Sequence, residues 1–180
     1  TMHHMYFSGT PAIHMALGAF FSAAEIVPLT FLTVEAWTFL QLGAQQQEGV
    51  DRFQFPHRWG VMFLVAVGFW NFLGAGVFGF LINPPVALYY MQGLNTTPVH
   101  AHTALFGVYG LLSLGLVLVI ARRLSGVRPW KETQLKWAFW GMNVGLALMV
   151  ALSLLPIGLA QTWASVEHGL WYARSADFLQ

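Results

Sequence analysis

The chain has 180 residues, 57% of them hydrophobic and only 8% charged, against roughly 25% charged in an average soluble protein. A soluble domain of this size has too little interior for so much apolar surface, so lipid is the better solvent, and a net charge of +1 argues against nucleic acid as a partner. With no cysteine in the chain, a disulfide frame, an iron–sulfur cluster and thioether-attached haem are excluded.

In chain order, the first feature is the adjacent pair His3 and His4. Two neighbouring histidines grip one metal where the backbone is irregular or at a helix end. Alone they are an incomplete site for iron, copper or zinc, and a remnant of an engineered tag reads the same way. No basic segment with a short apolar run opens the chain, as a secretory signal would require. It starts on Thr1, close to these histidines; the expectation is a piece of a longer protein.

Four apolar runs of membrane-spanning length follow. The first extends from about Pro11 to Gly43 and contains Glu25, roughly 20 Å along a helix from its start at 1.5 Å per residue. An acid at that depth is a functional hypothesis by default and faces a bundle interior; a protonated structural Glu is the plain alternative. Pro28, three residues on, leaves the carbonyl of Ala24 without its donor and predicts a kink beside Glu25. Glu35 falls towards the far interface, and His14 and His57 sit near span ends as interfacial groups. The second run covers Trp59 to Leu81 and ends at Asn83-Pro84-Pro85; Tyr89 and Tyr90 beyond it suit an interfacial aromatic belt. The third starts near Pro98, with Thr97 as N-cap, and ends before Arg122 and Arg123. The fourth runs from Leu135 to Leu155 and ends or kinks at Pro156. The tail after Gln161 is too short to span again, and its Glu167-His168 pair reads as a cap or salt-bridge partner. The expected fold is an all-α, polytopic transmembrane helix bundle. Residues 1–180 are expected to form a single transmembrane region, an incomplete part of a larger bundle.

Within the third span, His100 and His102 lie one residue apart. A two-residue step turns about 200° around an α-helix, so the imidazoles leave in nearly opposite directions. One metal would want both on one side. Two flat cofactors, one on each flank, would want this arrangement, since imidazole is an axial haem ligand; two polar residues facing water or headgroups is the plain alternative. Seven of the eight Lys and Arg lie at Arg52, Arg58, Arg122, Arg123, Arg128, Lys131 and Lys136. With four spans these loops share a side, which the positive-inside rule makes cytoplasmic. His3, His4, His100 and His102 then fall at the opposite, outer end.

The segment Thr1-Met2-His3-His4-Met5-Tyr6, Glu25 in the next helix, and Pro98-Val99-His100-Ala101-His102-Thr103-Ala104-Leu105-Phe106-Gly107 together resemble the haem-copper oxidase superfamily. Within it they are most similar to the catalytic subunits of bacterial nitric oxide reductases, as are Asn83 to Tyr90 and Ser165-Val166-Glu167-His168-Gly169. The family usually has Gly where this chain has Ala101; one methyl group leaves the helical geometry in place. The resemblance covers nearly the whole chain, and the Asn83-to-Tyr90 run favours the quinol-dependent type over the cytochrome c-dependent one.

The resemblance implies a role for each residue. His3 and His4 would be two of three histidine ligands of a non-haem iron. His100 would be the axial ligand of a high-spin haem b3 facing that iron. His102 would be one axial ligand of a low-spin haem b, which feeds electrons in. Glu25 would be the catalytic acid, tied to proton supply or to shaping the site. The implied reaction reduces two nitric oxide molecules to nitrous oxide and water, in a bacterial inner membrane with the metal end towards the periplasm. The remaining iron and haem ligands would lie on missing helices of the same chain, so the 180 residues alone are expected not to turn over. An oxygen-reducing member of the superfamily and a non-enzymatic haem-binding electron carrier are the alternatives.

Overall fold

In the computed structural model, residues 2–45, 58–125 and 130–180 are described. Every regular element among them is helical. Four helices are long and apolar enough to cross a membrane: Ala12–Thr38, Arg58–Ile82, Thr96–Ser125 and Glu132–His168. These are the four expected spans, named first to fourth below.

The second span supplies the seam of the bundle. Trp59, Phe63, Ala66 and Trp70 recur at steps of four, three and four residues, which stacks them on one helix face. They pack with Val99 and Leu111 of the third span and with Phe139, Leu146 and Val150 of the fourth. Two polar groups in this apolar seam are satisfied in place: Trp70 Nε1–H donates to Asn143 Oδ1 at 2.8 Å, and Asn143 Nδ2 donates to the Phe139 carbonyl at 2.8 Å. At one end of the seam the Trp59 indole N–H donates to the Glu132 carboxylate.

Small residues let the second and third spans touch backbone to side chain, as association within lipid requires. A Cβ on Gly74 would lie 2.5 Å from Thr103 Oγ1, and one on Gly107 would lie 2.7 Å from Trp70 Cβ. Neither contact leaves room for a methyl group.

The first span is peripheral, burying only Gly18 and Ser22 in its first half. Phe20, Phe31 and Trp37 are exposed, as a surface facing lipid or further helices would be. A one-residue lapse falls near Pro28, with Glu25 standing between Ala12–Ala24 and Ile26–Gln45, but its backbone stays helical at φ −58° and ψ −26° and Ala12–Thr38 remains a single span. His14 is exposed near its start and Glu35 is exposed in its second half.

Proline acts differently in the fourth span. It neither ends nor breaks at Pro156 but runs on to His168. A wide π-helical turn, Val150–Leu154, precedes the proline. The proline then occupies the first turn of a renewed α-helix, where its missing N–H costs nothing. Similar wide turns cover Asn71–Phe78 in the second span and Leu105–Gly110 in the third. Such turns often accompany functional sites.

The third span begins at Thr96, earlier than expected, and Asn95 rather than Thr97 takes the N-cap position. The Asn95 N–H donates to Gln161 Oε1 at 2.9 Å, and Gln161 Nε2 donates to the Ala173 carbonyl at 3.1 Å. A tertiary contact thus does what a local cap would do. Thr97 instead donates its hydroxyl to the Met91 carbonyl at 3.1 Å. The connection before it is partly helical, Pro85–Met91, with Tyr89 exposed. Beyond Gly169 the tail forms short helices at Leu170–Ala173 and Ala176–Leu179. Glu167 and His168 are exposed, and the His168 ring packs on Tyr172 at 5.0 Å. His57, Arg52 and Arg128 lie outside the described residues.

The packing makes a paired prediction. Gly107→Ala forces a methyl into Trp70 and should destabilise the chain by about 1–3 kcal/mol. Gly141 has nothing within 4 Å of an added Cβ, so Gly141→Ala should stabilise its helix by about 0.5–1 kcal/mol. Thermal unfolding in detergent should move in opposite directions for the two variants.

Candidate metal and cofactor site

His3 and His4 lie on a single 3₁₀ turn, Met2–Met5, just ahead of the first span. This is the irregular backbone that lets adjacent histidines converge: their ring centroids are 4.2 Å apart. His3 is buried and His4 is exposed.

The third span brings His100 to them from almost a hundred residues away. Its ring centroid is 5.6 Å from that of His3 and 6.2 Å from that of His4. One ring nitrogen from each of the three lies within 4.8 Å of the others, which is reach for a shared metal ion.

A carbonyl fixes the tautomer of His100. Its Nδ1 is 2.8 Å from the Gly74 carbonyl oxygen. That oxygen can only accept, so Nδ1 carries the proton and Nε2 keeps its lone pair. Metal-binding histidines are held this way by carbonyl partners. Gly79 lies under the same ring, where an added Cβ would stand 3.0 Å from Cε1. Both glycines belong to the second span, the first within the wide turn Asn71–Phe78 and the second next to it.

His102 points elsewhere, as the two-residue step requires. It is exposed, and its Nδ1–H donates to the Pro98 carbonyl of its own helix at 2.9 Å. Its Nε2 is left for a ligand on the opposite face. So the structure brings His3, His4 and His100 together and sends His102 away.

Glu25, at the one-residue lapse, lines a cavity of about 480 Å³ together with all three clustered histidines. Asn71 and Tyr109 line it too. Sequence reasoning passed over both, although each is a polar residue inside an apolar span. Gly74 offered no signal beyond a local density of glycines, because its contribution is a carbonyl.

The electrostatics favour ligation over protonation. The His3 pKa is lowered from 6.5 to about 4, first by burial and then by the neighbouring His4 and His100. His4 is lowered as well, by burial first and then by His100. A neutral imidazole is the form that binds a metal.

A family model described as "Cytochrome C and Quinol oxidase polypeptide I" matches residues 1–179. A nitric oxide reductase subunit of Stutzerimonas stutzeri is 26% identical over 167 residues, which is 91% of this chain and 33% of that protein. The chain therefore spans about a third of the length of the curated relative it matches.

The lowered His3 pKa has a direction in pH. Between about 4 and 6.5 an unfolded His3 is protonated while the folded one is not, so folded-state stability rises with pH across that window. Acidifying the metal-free protein from pH 6.5 to 4 should progressively release the Met2–Met5 turn, with little further loss below pH 4. Proteolysis or hydrogen exchange of the N-terminal turn would register it. His3→Phe should flatten the profile.

Proposed function

The chain belongs to the cytochrome c and quinol oxidase polypeptide I family, and from that footing we propose that it forms part of a nitric oxide reductase catalytic subunit. The observation that carries the proposal is the convergence of His3, His4 and His100 on one cavity that Glu25 also lines. The similarity to a relative named as a nitric oxide reductase supports nitric oxide rather than oxygen as the substrate.

The family implies haem, and the donor set fits it. His100 and His102 each have Nδ1 occupied by a carbonyl, which leaves one Nε2 apiece on opposite faces for two haems. In this reading His100 holds the high-spin haem b3, His102 holds the low-spin haem b, and His3 with His4 holds a non-haem iron.

When bound, the two irons supply electrons and adjacent positions at which two nitric oxide molecules are close enough to join. Proximity of that kind removes much of the entropic barrier to a bimolecular step. The protein's own residues do the rest. The Gly74 carbonyl orients His100. Ala101, Ala104, Leu105 and Val108 give the cavity an apolar wall. Glu25 lines the cavity, where its carboxyl is placed to pass a proton to the reacting gas. The balanced reaction takes two nitric oxide molecules, two electrons and two protons to nitrous oxide and one water.

A quinol is the favoured donor, with cytochrome c as the alternative. The basic ends of the spans favour the periplasmic side of a bacterial inner membrane for the metal site. The test is a nitric oxide electrode assay with metal analysis on the full-length protein. Nitric oxide consumption with one non-haem iron per chain is expected. Full haem loading with oxygen consumption instead would overturn the proposal.

Variants of the full-length protein test the individual roles. His102→Ala should abolish the low-spin haem spectrum and spare high-spin haem, and His100→Ala should do the reverse. Loss of the same haem from both would refute the opposed assignment. Glu25→Ala should cut turnover by about 10²-fold or more with haem content near normal, and Glu25→Asp should be intermediate. Turnover at the wild-type rate in Glu25→Ala would leave the acid a structural group.

A further inference from the structure

The geometry points to Tyr6 and Asn83 as positioning residues, a tie that sets how far the His3–His4 turn stands from His100. The inference rests on the reading of that turn as a metal site. A four-residue 3₁₀ turn has too few backbone bonds of its own to hold a place against the bundle. Something outside the turn must locate it.

Tyr6 follows the turn directly and is only 4% exposed, packed against Ile82 and Leu88. Its hydroxyl donates to Asn83 Oδ1 at 3.2 Å, across 77 residues of sequence. Asn83 is itself 3% exposed. Its Nδ2 donates to the Ala19 carbonyl of the first span at 2.7 Å. Three pieces of backbone are therefore joined through one amide: the histidine turn, the first span and the end of the second. Asn83 is placed rigidly, since it closes the second span and is followed by Pro84 and Pro85, whose rings fix the backbone.

The second span holds the other half of the cluster as well, because its Gly74 carbonyl anchors His100. Both sides of the metal site are thus referenced to one helix, His100 through Gly74 and His3–His4 through Asn83. The separation between the histidines is a property of that helix and of the Tyr6 tie. Without the tie the turn is free to slide along the cavity mouth while its imidazoles remain intact.

The test uses full-length protein that keeps its haem but is stripped of non-haem metal, with Co2+ as the probe. Equilibrium dialysis with metal analysis reports bound Co2+, and His3→Ala defines binding at this site. The low-spin haem spectrum at His102, on the opposite face, is the control for general damage. Tyr6→Phe removes one hydroxyl and should weaken Co2+ binding about five- to tenfold, the loss of one hydrogen bond, with the low-spin spectrum unchanged. Asn83→Leu should weaken it more, and the double variant should be no worse than Asn83→Leu alone, since both residues act through the same tie. Unchanged Co2+ affinity in Tyr6→Phe and Asn83→Leu would overturn the inference. So would parallel loss of Co2+ and low-spin haem in Tyr6→Phe, which is what a merely structural role predicts. Wild-type protein that binds Co2+ no better than His3→Ala would overturn the metal reading itself, an outcome separate from failure of the tie.

Discussion

The hydrogen bond from His100 Nδ1 to the Gly74 carbonyl is the constraint on which the site depends. It is made across an interface where one partner has no side chain, so the second and third spans must lie at backbone contact for it to exist. Gly74 against Thr103 and Gly107 against Trp70 supply that contact. The same bond occupies Nδ1 and leaves Nε2 as the nitrogen that faces away from the second span's carbonyl. Helix packing and ring orientation are in this way one decision.

Three imidazoles within reach of one another also form an electrostatic unit. Burial raises the cost of protonating His3 and His4, and the neighbouring imidazoles add to it, which lowers the pKa of both. Neutral His3 and His4 are already in the form a metal needs. The cavity beside them has an apolar wall from Ala101, Ala104, Leu105 and Val108, with Glu25, Asn71 and Tyr109 as its polar points.

The two prolines inside apolar spans show how context decides a local rule. Pro28 accompanies a one-residue lapse at Glu25, whose backbone stays helical at φ −58° and ψ −26°, within a span that runs from Ala12 to Thr38. Pro156 leaves its helix continuous, because a widened turn takes up the missing donor and moves the proline to the start of a new register. The first sits by an acid that lines the cavity; the second lies in a long helix that clasps Asn95 through Gln161.

The four spans, the approximate limits of the first three and the divergence of His100 from His102 were all legible in the sequence. Each depends on residues within a turn or two of one another, where hydropathy, proline chemistry and the α-helical repeat act without outside help. Membership of the oxidase family was legible too, because the histidine motifs survive as short strings. The meeting of His3 and His4 with His100, the Gly74 carbonyl that orients the ring, the cap of the third span by Gln161 and the Tyr6–Asn83 tie were decided by tertiary structure. These contacts join residues far apart in the chain, several through backbone carbonyls that no side-chain pattern encodes. Widened turns also shift the helical phase by an amount that periodicity alone does not supply. Local rules state which way a residue leaves its own helix, and only packing between helices determines what it meets.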